Sequence, residues 1–391
     1  MNDTTATAPK PALVFLLAAS CGIIVANIYY AQPLVGLIAP AIGINAHEAS
    51  LIVTLTQLGY AGGLLLLVPL GDIIENRLLL TIMVVAAIPP LLVATFAQSA
   101  GVFLAAAGAI GLTSVAVQML VPLAANLAPD HLRGRIVGTV VSGLLVGVLL
   151  ARPVASLVAQ AFGWRAVFGI SAGLMLLLAV VLRMALPRLQ PHSTHHYVLL
   201  LVSLLKLPFN TPLLRHRAVY QAAAFGCFSL FWTAVPLLLT QEFGYSQFGV
   251  AMFALVGAAG AVMAPVAGRL ADRGYGRTGT IMALISITLS FGLAAWGGLG
   301  AHSVIVLAIA CVMLDCGVQA NLVFGQRAIF ALAPSMRARL NGVFLAMLFL
   351  GGAFGSAITS PILTHFGWAG ICAAGVVAPL LALAYFALVE R

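Results

Sequence analysis

Nine residues of this 391-residue chain are acidic, and eight of them fall in polar loops or near the termini. Asp315 is the exception. It stands in the apolar run 303–332, about twelve residues from one end, which on a helix is roughly 18 Å. A carboxylate at that depth in lipid costs at least ~2.5 kcal/mol on insertion scales, so its presence points to function. A carboxylic acid shielded from water can take up a proton and give it back, the elementary step of proton-coupled transport. The plainer alternatives are a permanent ion pair or a hydrogen-bonded core Asp. Arg152 is the one basic residue deep in an apolar run, about nine residues or roughly 14 Å from the same end. Three roles are open to it: pairing with Asp315, holding an anionic substrate in its planar fork, or snorkelling to lipid headgroups.

Polar companions are few. The first apolar run carries Asn27, Tyr30 and Gln32, with Pro33 bending or ending it. On a continuous helix Asn27, Tyr30 and Leu34 share a face. Gln57, Gln118 and Gln221 stand inside other runs, and Gln319 follows Asp315 by one turn. Each amide alone is equally a substrate contact or an interhelical hydrogen bond. Phe225, Phe228 and Trp232 fall on one helical face, as a cavity wall or as ordinary packing. The five cysteines, Cys21, Cys227, Cys311, Cys316 and Cys372, sit in apolar stretches without metal-ligand spacing, so they read as small core residues and no metal site is expected. There is no phosphate-binding loop, HExxH or GxSxG motif, so neither an enzyme nor an ATP-driven pump is expected, and no cofactor.

Lipid must hold these groups in place. The chain is 62% hydrophobic and 7% charged, with a mean hydropathy of +1.13. Soluble proteins carry about 25% charged residues, which excludes a water-soluble enzyme. Twelve apolar runs stand between charged or Gly/Pro breaks: 11–34, 49–71, 78–97, 101–128, 136–161, 164–186, 218–240, 246–268, 278–298, 303–332, 341–363 and 368–389. Each is close to the ~20 residues that span a bilayer. Continuous rather than alternating apolarity selects helices over a barrel. The first run is too long for a signal-peptide core and reads as a retained span.

Sixteen of the 18 Lys and Arg residues collect on one side, which sets both termini in the cytoplasm and explains the net charge of +9 without nucleic acid. The break 187–217 reads as a cytoplasmic linker with an interfacial helix near Tyr197–Leu207. Its His192, His195 and His196 fit a solvated linker better than a metal site.

The chain repeats itself. Asp72 and Arg77 return as Asp272 and Arg277, 200 residues on. Arg133 and Arg135 return as Arg337 and Arg339, Gly138 as Gly342, Gly147 as Gly351, and Gly163-Trp164 as Gly367-Trp368, all 204 residues on. Duplicated membrane halves mark transporters, whose substrates bind near the midplane between the repeats. Small residues recur in runs five and eleven (Gly143, Gly147, Ala151; Gly351, Gly352, Gly355), suiting helices that approach closely and slide.

The stretch Gly268-Arg-Leu-Ala-Asp-Arg-Gly-Tyr-Gly-Arg277 resembles the G-x-L-A-D-R-x-G-R signature of the major facilitator superfamily. Val68-Pro-Leu-Gly-Asp-Ile-Ile-Glu-Asn-Arg77 is its degenerate first copy, and Asn27-Ile-Tyr-Tyr-Ala-Gln-Pro-Leu34 is similar to a bacterial branch grouped with 12-span drug:proton antiporters. Two antiporter motifs are altered. Span four has Gln118 but no Arg, and Arg152 replaces the Gly before Pro153 in Gly147-Val-Leu-Leu-Ala-Arg-Pro-Val-Ala-Ser156.

The resemblance implies an all-α membrane protein of 12 transmembrane helices in two six-helix pseudo-repeat bundles, 1–186 and 218–391, joined by the linker 187–217. Spans one, four, seven and ten would line the central cavity and spans two, five, eight and eleven flank it, placing Asp315 and Arg152 near it. Asp72 would sit by the cytoplasmic start of span eleven and Asp272 by that of span five, where free N–H groups favour a carboxylate. With Arg77, Arg273 and Arg277 they would form a conformational gate, and Arg133 and Arg337 are the expected partners. The implied protein is a monomer in a bacterial inner membrane, its partners a small-molecule substrate, protons and lipid. Proton-coupled efflux of small amphipathic compounds by alternating access is the leading expectation. Proton symport importing a small organic anion held by Arg152 is the alternative, and a lipid-translocating or sensory protein the third.

Overall fold

A computed structural model describes residues 9–129, 131–190, 197–332 and 336–390. His192, His195 and His196, like Arg391, lie outside the described residues. The described chain is helical throughout and forms twelve spans.

Ten helical stretches are apolar and long enough to cross a bilayer by length and composition: Leu51–Asp72, Asn76–Phe96, Ala100–Leu127, Arg133–Phe162, Trp164–Ala185, Pro212–Gln241, Gln247–Asp272, Gly276–Gly300, Val304–Phe330 and Arg337–Val389. The last contains two spans, because Gly367 (φ +58°) breaks it. Only glycine adopts that backbone without strain, and Gly163 (φ +82°) makes the matching turn between spans five and six. Span one completes the twelve, but not as the continuous helix expected over 11–34. Its helix ends at Ala26, a turn and the short 3-10 segment Gln32–Leu34 follow, and Val35–Ala41 resumes. Pro33, which has no N–H to donate, sits in the break.

The linker forms a helix over Tyr197–Asn210, and span seven begins earlier than expected, at Pro212. The linker helix docks by burying Leu200, Leu204 and Leu207, and the Tyr197 hydroxyl donates to the Leu66 carbonyl at 2.6 Å.

Because the spans alternate in direction, the loops holding Arg77, Arg133 and Arg277 share one end of the bundle, here the arginine-rich end. The first six spans meet the last six along two seams, span two against span eleven and span five against span eight. Within each set, glycines let backbones touch. A Cβ on Gly147 would run into the Gly22 backbone, and one on Gly351 into that of Ala222. The four free cysteines other than Cys316 are buried among apolar neighbours, as small core residues are.

Candidate functional site

Eight spans line a cavity of about 170 Å³ between the two sets. Asp315 and Gln319 from span ten, Arg152 from span five, Gln118 from span four, Gln221 from span seven, and Tyr29 and Tyr60 from spans one and two are its polar groups. Phe225, Phe228 and Phe349 form much of its apolar wall. Pockets that hold drug-sized ligands are about 300–1,000 Å³, so this cavity suits a smaller molecule.

Asp315 and Arg152 share one indole, the first at its N–H and the second over its ring. Trp232 Nε1 donates to Asp315 Oδ1 at 3.1 Å. The Arg152 guanidinium carbon stands 4.5 Å from the centroid of the Trp232 ring. Phe228 at 4.9 Å and Tyr29 at 4.8 Å complete an aromatic cage around the same cation. Arg152 Nε donates to Gln32 Oε1 at 2.8 Å. The side chain is 4% exposed, so it does not snorkel to headgroups. Nor does it pair with Asp315: among the described residues the ion pairs within 4.0 Å are Arg217–Glu390 and Arg327–Asp272. Arg152 Nη2 is buried with no partner. A buried cation normally satisfies its donors, so this atom leaves an unmet hydrogen-bond demand beside the cavity.

Glycine makes the room for Asp315. A Cβ on Gly260 would collide with the Asp315 side chain and backbone, and one on Gly257 would come within 2.8 Å of Asp315 Oδ2. Span eight can therefore pass directly over the carboxylate.

The structure divides the remaining polar residues. Gln118 Nε2 donates to the Tyr60 hydroxyl at 3.0 Å on the cavity wall. Gln221 Oε1 accepts from Asn321 Nδ2 at 2.7 Å, while Gln221 Nε2 is buried without a partner. Gln319 lines the cavity one turn from Asp315. Phe225 and Phe228 stack at 5.1 Å on the wall, and Phe231 turns away to Phe291 and Trp368.

Asn27 and Tyr30 do not line the cavity. Asn27 bonds to span six, accepting from Ser171 and donating to Met175 Sδ at 3.6 Å. Tyr30 lines a separate surface groove between spans one and five. The helix ends at Ala26, so the expected helical face is lost and Tyr29 turns inward instead. Gln57 Nε2 donates to Ser229 Oγ at 2.8 Å, tying span two to span seven.

Gln57–Ser229 begins a ladder that climbs to the end opposite the arginines. Thr54 Oγ1 and Ser356 Oγ are 2.9 Å apart. Ser50 and Ser360 each donate a backbone N–H to the other's hydroxyl, at 2.9 and 3.3 Å. His47 Nδ1 and Thr364 Oγ1 lie 2.8 Å apart at the top. Sequence reasoning missed this seam and the cavity-lining Tyr29 and Tyr60. The signal for the seam was present: hydroxyls four apart on span two (Ser50, Thr54) and on span eleven (Ser356, Ser360).

At the arginine-rich end, Asp272 pairs with Arg327 of span ten (3.3 Å), not with Arg133 or Arg337. Those two arginines donate through Nε to carbonyls at the ends of the preceding spans, Ala125 at 3.2 Å and Phe330 at 2.9 Å. Asp72 does share a crevice with Ala338 and Arg339 at the start of span eleven, without an ion pair among the described residues. Arg77 is part-buried with Nε unpartnered, Arg273 is exposed, and the Arg277 guanidinium carbon stands 6.0 Å from the Phe386 ring centroid.

Two repeated six-span sets around a charged midplane cavity are the architecture of a secondary transporter. The sequence model of the Major Facilitator Superfamily matches residues 14–323 and 222–391, and the chain belongs to that family. It is 41% identical over 96% of its length to the Escherichia coli O157:H7 protein named uncharacterized transporter YgaY, covering 94% of that protein. A probable transporter of Streptomyces coelicolor is 34% identical over 92% of this chain and 83% of its own. Among solved structures, a bacterial homolog of the human lysosomal transporter Spinster, inward-facing and occupied, superposes with a TM-score of 0.75 at 15% identity, over 97% of this chain and 96% of its own. A mutant of the nucleoside transporter NupG gives 0.75 at 14% identity, over 96% and 99%. At such identities these likenesses speak for the fold. The chain is thus a multi-pass membrane transporter of the major facilitator type.

Proposed function

We propose that the chain moves small amphipathic molecules across a bacterial inner membrane by alternating access, coupled to protons through Asp315. One observation carries this reading: Asp315 is a carboxylate on the wall of the central cavity, and among the described residues no cation lies within ion-pairing distance of it. Its Oδ1 is held by Trp232, which leaves Oδ2 to take up and lose the proton. With the arginine-rich end in the cytoplasm, the hydroxyl seam closes the outer side in this conformation. The crevice at Asp72 and the Asp272–Arg327 pair then form the inner gate, which Arg77, Arg133, Arg273, Arg277 and Arg337 flank. Residues 1–186 and 218–391 rock as two bodies about the cavity, joined by 187–217.

Two modes follow. In efflux by exchange, an outgoing substrate and an incoming proton alternate at Asp315, and an amphipathic cavity suits such substrates. In import of a small organic anion, Arg152 clamps the substrate while Asp315 carries the proton. The unpartnered Arg152 Nη2 favours the second mode.

Proteoliposomes enclosing a pH-sensitive dye test the coupling. Adding cationic, neutral and anionic compounds in turn should find one that moves protons in the wild-type protein and not in Asp315→Asn. The variant should still be inserted and folded, because it removes a charge that lipid disfavours. Full proton-driven flux in Asp315→Asn would falsify the assignment.

A further inference from the structure

The cavity is lined by one fixed cation, Arg152, and one titratable carboxylate, Asp315. The other titratable side chains beside them, Tyr29 from span one, Tyr60 from span two and Cys311 from span ten itself, are of types that carry no charge at ordinary pH. Trp232 from span seven and Gly257 and Gly260 from span eight complete the contacts without charge. An arginine keeps its proton. The empty cavity with Asp315 ionised therefore has no net charge. A proton alone makes it +1, an anion alone makes it −1, and both together restore zero.

An uncompensated charge is costly within a lipid-embedded cavity. The two forms that can change access most readily are the empty one and the one loaded with both proton and anion. A cationic substrate has no such pair: with Asp315 ionised it leaves +1, as does the proton it would exchange for, and only the empty form is neutral.

The unused donors agree with the charge count. Arg152 Nη2 and Gln221 Nε2, both on cavity-lining residues under 5% exposed, are hydrogen-bond donors without acceptors. They ask for acceptor atoms on the ligand. The wall asks for a flat apolar body: Phe225 and Phe228 are stacked, and Phe349 stands 5.1 Å from Phe225 and 4.3 Å from Tyr60.

We infer that the substrate class is a small amphipathic monocarboxylate with an aromatic body, bound through its carboxylate to Arg152 Nη2 and cotransported with one proton on Asp315. This rests on the proton-coupled reading above and deepens it. The proton passes from water to Asp315 Oδ2 and back to water on the other side, and no covalent bond is made.

Calorimetric titration of the purified full-length protein with benzoate, in buffers of different ionisation enthalpy, counts protons bound per anion. Tetraphenylphosphonium is the cationic comparison. The expected result is benzoate binding with net uptake approaching one proton as the starting pH is raised. Arg152→Gln should weaken it roughly tenfold or more, the loss of one charge-assisted hydrogen bond. Arg152→Lys should fall between, which guards against a misfolded Gln variant. Asp315→Asn should bind benzoate with no proton uptake. Proton release on tetraphenylphosphonium binding, without benzoate binding, overturns the anion class and leaves proton coupling standing. Benzoate binding with no proton uptake at any pH leaves the anion class standing and overturns the proton coupling, here and in the reading it rests on. Absence of benzoate binding in the wild-type protein overturns the inference.

Discussion

The first six spans and the last six share their backbone crossings and differ in what they put beside them. Gly22 lies against Gly147 where span one crosses span five; 200 and 204 residues on, Ala222 lies against Gly351 where span seven crosses span eleven. The turning glycine Gly163 returns as Gly367. Arg133 and Arg337 close the ends of spans four and ten in the same way. At the cavity the repeats diverge. By those offsets Tyr60 corresponds to Gly260, Gly111 to Asp315, and Arg152 to Ser356. In the first set the large residue is on span two and the small one on span four; in the second set the order is reversed. A Cβ on Gly111 would run into the Thr56 carbonyl and come within 2.9 Å of the Tyr60 backbone nitrogen, as one on Gly260 would strike Asp315. Duplication kept the crossings, and the volume traded across each crossing made space for a carboxylate in one half only. The cation came from the other half, so the chemistry exists only when both halves meet.

The largest effect is expected at the shared crossings. Gly147→Leu would force its side chain into the Gly22 backbone, and Gly351→Leu into Ala222. Overpacking usually costs about 1–3 kcal/mol, and more when the obstacle is backbone that cannot rotate aside. Neither variant should yield a monodisperse, protease-resistant protein after solubilisation. If one is tolerated and the other is not, the two crossings are not equivalent and the comparison breaks.

A smaller and more selective effect is expected at the traded volumes. Gly260→Ala should lower stability by about 1–3 kcal/mol, the usual range for an added methyl in a packed interior, and Gly111→Ala by at least as much, because its methyl meets backbone. Thermal melting in detergent measures this. Only Gly260→Ala displaces Asp315, so only it should depress proton-driven flux beyond what its lost stability explains. Equal flux in the two variants would separate Gly260 from the role assigned to it.

Much of this frame was legible beforehand. Apolar runs alone marked twelve spans, and Gly163 and Gly367 marked their turns, because lipid permits little besides helix. Asp315 and Arg152 stood out because charge is scarce at that depth. Helical phase failed at Asn27 and Tyr30, since phase holds only while the helix continues and this one stops at Ala26. Tyr29 consequently took the inward position, against Arg152. The hydroxyl seam stayed hidden for another reason. Serine and threonine are ordinary in membrane helices, and their hydroxyls often return to the carbonyl four residues back, as Thr359 does to Gly355 at 2.8 Å. Pairing across the halves depends on which spans face each other, and that is set by tertiary packing.

The smallest effect is expected at the gate, where family likeness and geometry part. The likeness put Asp272 at the start of span five, with Arg133 or Arg337 as partner, bridging the halves. Geometry instead pairs it with Arg327 inside the second set, both side chains more than half exposed. Exposed pairs are worth about 0.2–1 kcal/mol and are screened by salt. Arg327→Ala should therefore shift the melting temperature only slightly, and less still in high salt. If the two sets rock as proposed, closing the arginine-rich end would bring Asp272 toward the first set, and Asp272→Asn should then alter flux more than Arg327→Ala does. Paired flux and melting measurements on the two variants decide this. Equal flux losses would mean that the Arg327 pair itself is the gate, and that the first and second copies of the loop motif work differently.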